Sequence, residues 1–375
     1  MGVYRVFSAK DNTITNAFKL DLRTRATQSN MGASDILEVF SIYGAQSSDS
    51  LEKSRILIDF PIHEIRSAIL AGEIPSNSND RSFKMKLYNA QHNTTVPEDF
   101  TIAIHPLQKT WSEGSGLDME GYTDLGSSNW ASASFNSPWT TEGADYKIDV
   151  PQHNHTCTFS GGTENLEVDV SYTVEEWLSE LEAAGTGMVP NGFLLKMSDS
   201  AEDGSSLKSY YTKRFFGKGT QFFFKRPVLE VQFDSSTQDS SALPEGYSQA
   251  DKYILNISNL KSSYKSYETV KLKVHSRNKT WQPNIYTKAS AAAPLDLIDD
   301  MYYKVVRVAD NLEAISYSTG SGKAFSKVSY DANGSFFDLK MSNLEPNYMY
   351  EISFIRKDGT KYIEIEDRFK FRLEK

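Results

Sequence analysis

Three stretches of the sequence hold side chains that could do chemistry. The first is His153-Asn154-His155-Thr156-Cys157, with two imidazoles and the only thiol of the chain at alternate positions. On an extended strand these three share one side, and His and Cys together suit zinc. Alternate strand positions lie about 6.5 Å apart, too far for His153, His155 and Cys157 to meet one tetrahedral ion without a bend. A polar loop is the simpler expectation. The second stretch, Asp199, Glu202 and Asp203, is an acidic turn with oxygen ligands for calcium but without EF-hand spacing. Asp11 and Asn30 offer oxygens of the same kind. The third mixes Lys208, Lys213, Arg214, Lys218, Lys225 and Arg226 with Tyr210, Tyr211, Phe215, Phe216 and Phe222 to Phe224. Basic and aromatic residues together can hold single-stranded nucleic acid by stacking and phosphate contact. In an acidic chain the better reading is a hairpin whose aromatics fill a core or an interface. Tyr210, Tyr211, Arg214, Phe215 and Phe216 are then the contact candidates, because Tyr, Phe and Arg concentrate at protein interfaces.

Other motifs fail on inspection. Gly320-Ser321-Gly322-Lys323 is followed by Ala324 where a phosphate loop needs Ser or Thr, and no earlier glycine stands in place. No Gly-x-Ser-x-Gly elbow is present, and the six histidines give no triad. The chain is therefore expected to be non-enzymatic. Residues 112–137 are rich in Gly, Ser and Asn, and Trp111, Trp130 and Trp139 lie in or beside them. Such tryptophans either form a sugar-stacking face or plug one end of a β-sandwich, with the plug the stronger expectation.

The elements that must position these residues are strands. In Arg55 to Phe60, Ile56, Ile58 and Phe60 alternate with Leu57 and Asp59. Phe83, Met85 and Leu87 alternate with Lys84 and Lys86, and Phe100, Ile102 and Ile104 repeat the period. This is the pattern of antiparallel strands in a sandwich. One convincing helix is predicted at 168–184, with Thr173 and Glu176 as a capping box, Val174, Trp177, Leu178 and Leu181 as its apolar stripe, and Gly185 as its stop. A shorter helix is predicted in His63 to Ile74. Residues 235–247 are Ser-rich with Pro and Gly and read as a linker. Beyond them, about seven short strands with turns at Asn333-Gly334 and Asp358-Gly359 predict an immunoglobulin-like sandwich. The expected fold is all-β: a sandwich at 1–234 with one inserted helix, the linker, and a second sandwich at 248–375.

With 39% hydrophobic and 12% aromatic residues the chain can bury two cores. One cysteine excludes a disulfide framework. No charged-then-apolar leader opens the chain, Val6 breaks the myristoylation pattern, and no apolar run is long enough to span a bilayer. The expectation is synthesis in the host cytoplasm with no membrane partner. A net charge of −9 argues against nucleic acid. Residues 1–246 hold 20 Lys and Arg against 33 Asp and Glu, a net −13, whereas 247–375 hold 20 against 16, a net +4.

Several landmarks occur in one order. They are Ala9-Lys10-Asp11-Asn12-Thr13-Ile14, Asn30-x-Gly32-x-Ser34, and Ser54-Arg55-Ile56-Leu57-Ile58-Asp59-Phe60. Lys84 to Tyr88, Trp111-Ser112-Glu113-Gly114, Val168-Asp169-Val170 with Trp177, Asn191-Gly192-Phe193, and Arg226-Pro227 with Leu229-Glu230-Val231 complete it. In this order residues 8–233 resemble the DNRLRE-type jelly-roll domain, which is similar to carbohydrate-binding modules. Residues 120–165 depart from that pattern, and Tyr211-Thr212-Lys213-Arg214 replaces its usual motif before the closing strand. The resemblance implies a jelly roll and permits sugar binding, with Trp111, Trp130 and Trp139 as the glycan candidates. In style the chain also resembles tailed-phage structural proteins. The leading expectation is a virion protein of the tail, neck or capsid surface, whose partners are other virion proteins and copies of itself. The alternative is a glycan-binding module or adhesin on a surface polysaccharide. No cofactor is expected, zinc and calcium being the ions considered.

Overall fold

The computed structural model describes residues 2–43, 51–92, 98–183, 188–203, 205, 210–283, 295–320 and 323–375. Of the polar stretch Gly44–Lys53, expected to be a loop, Leu51–Lys53 belong to a strand, and 44–50 lie outside the described residues, as do the helix stop at Gly185 and the centre of the Gly320 to Lys323 motif. The chain is all-β, with three short helices among the described residues.

The first thirteen strands are β1 Val3–Phe7, β2 Lys10–Thr15, β3 Ile36–Tyr43, β4 Leu51–Asp59, β5 Arg81–Leu87, β6 Phe100–Pro106, β7 Ser132–Ser134, β8 Ser137–Pro138, β9 His155–Phe159, β10 Leu166–Asp169, β11 Phe193–Met197, β12 Tyr210–Phe216 and β13 Val228–Phe233. They make a four-stranded sheet in the order β1-β13-β5-β10 and a seven-stranded one in the order β12-β3-β4-β11-β6-β9, with β2 added on β4; β7 and β8 form a small hairpin. Phe83, Met85 and Leu87 of β5 and Ile56, Ile58, Phe193, Leu195, Ile102 and Ile104 of the larger sheet are fully buried. The alternation read from the sequence thus carries the core. Leu57 and Leu194, which point the other way from β4 and β11, are equally buried, so the larger sheet is covered on both faces.

Helix α1 (Ile62–Leu70) buries Ile62, Ile65 and Ala68. It is the shorter helix predicted in His63 to Ile74 and stands beside the longer α2 (Ser171–Ala183), with α3 (Asp199–Glu202) as a single turn. In α2, Val174, Trp177 and Leu178 are buried as the stripe requires, and Trp177 meets Phe193 at 4.7 Å between ring centroids. The capping box is not formed as expected. The helix begins two residues earlier, Asp169 accepts the Ser171 N–H at 3.0 Å, and the Thr173 hydroxyl serves the two histidines instead.

The remaining strands are β14 Tyr253–Ile257, β15 Ser263–Lys265, β16 Thr269–Asn278, β17 Met301–Arg307, β18 Leu312–Ile315, β19 Ser329–Asp331, β20 Gly334–Lys340, β21 Met349–Asp358 and β22 Lys361–Glu374. They form a second two-sheet sandwich, β14-β16-β20-β19 against β15-β22-β21-β17-β18. The turns at Asn333-Gly334 and Asp358-Gly359 close hairpins, both glycines having positive φ.

The chain divides into two compact units, one of Arg5–Ser78 and Ser82–Val231, the other of Met1–Tyr4, Asn79–Arg81 and Gln232–Lys375. In the second unit Phe233 N–H donates to the Gly2 carbonyl at 2.8 Å and Asn343 Nδ2 to the Val3 carbonyl at 3.1 Å. A side chain at Gly2 would run into the Phe233 carbonyl. The Ser-rich stretch at 235–247 lies along this sandwich: Thr237 N–H donates to Ser329 Oγ at 3.0 Å and Tyr247 OH to the Leu297 carbonyl at 2.9 Å.

Candidate functional site

The chain between β6 and β9 covers the outer face of the larger sheet. Trp111, Trp130 and Trp139 pack there with Ile14, Leu57, Leu107, Ala133, Ala144 and Leu194. The three indoles are 3%, 4% and 6% exposed. Trp111 Nε1 donates to the Asn191 carbonyl and Trp139 Nε1 to the Asn129 carbonyl, each at 2.9 Å. Their ring faces have no room for a sugar. The glycan assignment to these residues is corrected: they are the plug. Gly143 shows how tightly it closes, since its φ is +87° and an added Cβ would lie 2.9 Å from the Trp130 ring.

Under this cover the landmark residues of distant stretches converge. Asp11 N–H donates to Glu113 Oε1 at 2.8 Å, Lys218 N–H to Asp11 Oδ2 at 2.6 Å, and Lys218 Nζ to Glu113 Oε2 at 2.6 Å. Asn30 Nδ2 donates to the carbonyls of Glu113 and Ser128, while Asn30 Oδ1 accepts from the N–H groups of Gly32 and Gly116. Burial pushes the Asp11 carboxyl up to about 7, and the neighbouring Glu113 adds to the rise. Asp11 and Asn30 thus tie the loops of the covered face to each other, with the Lys218 ammonium as the cation in contact with Glu113.

The proposed calcium turn separates. Glu202 faces inward, its carboxylate meeting Arg55 Nη2 at 2.6 Å and Lys196 Nζ at 3.6 Å, with all three side chains buried. Asp199 pairs with Lys196 from solvent, and Asp203 caps its own turn at Ser205. Nearby, His105 stacks on Tyr146 at 5.0 Å, and burial beside Lys196 lowers its pKa to about 4.

The proposed zinc residues also part. His153 Nδ1 and His155 Nε2 lie 2.9 and 2.8 Å from the same Thr173 hydroxyl, and Glu176 lies 2.9 Å from His153 Nε2. One hydroxyl can donate to one ring nitrogen and accept from the other ring's N–H. Burial holds His155 neutral, with its pKa lowered to about 4. Cys157 is half-buried, and burial raises its thiol pKa. Among the described residues no three His, Cys, Asp or Glu side chains are placed to hold a metal ion.

Of the basic and aromatic stretch, Tyr210–Phe216 form β12 and Phe223–Lys225 a single 3-10 turn, while Lys208 lies outside the described residues. Phe215 is fully buried, so it belongs to the core and is corrected as a contact candidate. Lys213 is buried too. Its ammonium donates to Asn89 Oδ1, the Gly162 carbonyl and the Glu164 carbonyl at 2.7 to 2.8 Å, and burial lowers its pKa to about 8. Tyr210 is exposed; Tyr211, Arg214 and Phe216 are half-buried, Arg214 being paired with Glu38 at 2.5 Å.

The outer loops of the covered face display large apolar side chains among polar ones. Leu20, Leu22, Leu117, Tyr122 and Leu125 are 48% to 87% exposed. Leu20 N–H donates to Glu120 Oε1 at 2.7 Å, and Ser29 Oγ to the Met119 carbonyl at 2.9 Å, so the two loops adjoin. Each is held by an aspartate: Asp21 accepts from Arg23 and Thr24, and Asp118 from Glu120, Gly121 and Tyr122. Leu22 sits at φ +51°, a left-handed conformation that costs a leucine roughly 1–2 kcal/mol. Beside the plug lies a groove of about 610 Å³, lined by Gln108, Lys109, Thr110, Ser112, Ser134, Ser137 and Asn191 with an edge of Trp111 and with Val189. Phe135, 75% exposed, stands at the hairpin tip between Ser134 and Ser137.

No protein-family model matches the chain, and no curated protein matches it. Among solved structures it is similar to a DUF4785 family protein from Legionella pneumophila, at 10% identity and TM-score 0.20 over 100% of this chain and 62% of that one. It is also similar to a β-D-glucuronidase from Dictyoglomus thermophilum, at 9% identity and TM-score 0.22 over 99% and 44%. A third is the tripod from the baseplate of bacteriophage Tuc2009, at 12% identity and TM-score 0.13 over 100% and 99%. The chain spans less than two thirds of the first two, and at these scores the likenesses carry no argument about function.

Proposed function

We propose that this chain is a non-enzymatic structural protein of a tailed-phage virion, acting through contacts with copies of itself and other virion proteins. The observation that carries the reading is the outward display of Leu20, Leu22, Leu117, Tyr122 and Leu125 on two aspartate-held loops. A solvated surface has no use for a leucine held in a strained backbone, whereas a packing surface does. The plug beneath those loops supplies the rigidity that such a contact needs. The test is a Leu20→Ser/Leu22→Ser double variant supplied in place of the wild-type chain. Incorporation into purified particles is expected to fall at least tenfold with an unchanged melting temperature. Normal incorporation would count against this surface.

A second reading, a glycan-binding module on a surface polysaccharide, is supported by the groove of hydroxyl and amide groups, two of whose lining residues, Ser134 and Ser137, flank the exposed Phe135 in the hairpin. An array of neutral glycans with the wild type and Phe135→Ala separates the readings: binding lost in the variant favours the module, and silence favours the packing role.

A further inference from the structure

The outer face of β16 carries a line of three cationic side chains, Lys271, Lys273 and Arg277, with an imidazole among them. Leu272, Val274 and Ser276 of that strand point into the second sandwich and are buried, which leaves Lys271, Lys273, His275 and Arg277 on its other side. At about 3.4 Å per residue, the line runs for roughly 20 Å. Across the sheet, Asn256 stands opposite His275, Phe336 opposite Lys273 and Asp338 opposite Lys271. Lys271 Nζ lies 3.6 Å from the Phe336 ring centroid, and the Arg277 guanidinium lies 5.9 Å from the Trp281 ring. Among the described residues, Lys271, Lys273 and His275 have no ion-pair partner. A concavity of about 580 Å³ opens along the line, lined by Lys271, Lys273 and His275 with the neutral donors Asn256, Ser258 and Asn333. Asp331 also lines it, and its carboxylate accepts the Asn333 N–H at 2.7 Å. The positive line belongs to residues 247–375, which are net +4 in a chain that is −9 overall.

We propose that this face binds a linear anionic polysaccharide, with its carboxylate or phosphate groups along Lys271, Lys273, His275 and Arg277 and its hydroxyls on Asn256, Ser258 and Asn333. Charge complementarity selects an anionic chain, and the neutral donors between the cations select one that also carries hydroxyls. Nucleic acid fits less well. Lys271 covers Phe336, which removes the open aromatic platform on which bases would stack.

The full-length protein is tested at 50 mM and 300 mM salt against a polyuronate, a glycerol-phosphate polymer, neutral dextran and duplex DNA. Expected is binding to the polyuronate or the glycerol-phosphate polymer, whichever carries the matching charge, at least tenfold tighter than to dextran or DNA. That binding should weaken at least tenfold at 300 mM salt. Lys271→Gln/Lys273→Gln should lose it, and Lys271→Arg/Lys273→Arg should keep it, both with wild-type melting temperatures. Equal affinity for dextran, DNA binding as tight as that of the acidic polymers, or binding that survives the glutamine variant would each overturn the proposal. So would lysine-dependent self-association without polymer binding, because the face would then serve another copy.

Discussion

At the scale of single residues, the side chains that looked most chemical hold the fold together. Trp130 is the clearest: it is sealed over Leu57 and Leu194, with the Arg55 guanidinium 5.0 Å from its ring. Trp130→Ala should cost about 3–5 kcal/mol in urea denaturation; a loss under 1 kcal/mol would mean the plug carries little of the stability. Glu202 neutralises two buried cations, so Glu202→Ala should cost a similar amount, again about 3–5 kcal/mol by the same measurement. Asp11 gives a signed pH dependence. Its pKa is raised from 3.8 to about 7 in the fold, so between these values the folded state holds a proton that the unfolded chain has released. Its contribution to stability therefore falls as pH rises from about 4 to 7 and is level above that. Denaturation midpoints at pH 5 and pH 8 should differ less in Asp11→Asn than in the wild type; an unchanged difference would assign the slope to other groups.

At the scale of elements, legibility followed burial. Strands with one wet face, such as β5 with Phe83, Met85 and Leu87 against Lys84 and Lys86, are written in the sequence as alternation. Strand β4 is written there too, through Ile56, Ile58 and the adjoining Phe60, but the burial of Leu57 on its other face is not, because a loop cover that no local pattern announces buries it. Lys10–Thr15 carries no clean alternation in the sequence. It is a strand because Lys10 to Thr15 pair with Asp59 to Ser54, a partner some forty residues away. The long closing strand β22 is clearest at its end, where Phe369, Phe371 and Leu373 alternate; of its first half, Lys361 to Asp367, only Ile365 is buried. The polar loop expected at His153 to Cys157 is corrected: His155 opens strand β9, with His153 in the turn before it, and the Thr173 hydroxyl reaches both rings from α2, a meeting that no local pattern shows. The exposed loop tips escaped notice since isolated leucines in polar loops carry no periodic signal. Close backbone approach sets another limit. An added Cβ at Gly32 would sit 2.2 Å from the Glu113 carbonyl oxygen, so Gly32→Ala should lower the thermal midpoint by several degrees. An unchanged midpoint would show that the 113–116 loop yields without cost.

For the whole molecule, two sandwiches with separate cores offer surfaces of different character. The acidic residues 1–246 carry the apolar loop tips, and the basic residues 247–375 carry the cationic line on β16. A protein whose work is contact profits from such division, since each surface can take its own partner. The sharpest test of the contact role is quantitative mass spectrometry of phage particles purified through a density gradient from cells that express this chain. The account predicts a fixed ratio of this chain to the major capsid protein, maintained through successive gradients. Particles free of the chain, with all of it recovered as a soluble monomer that cleaves polysaccharide, would contradict it.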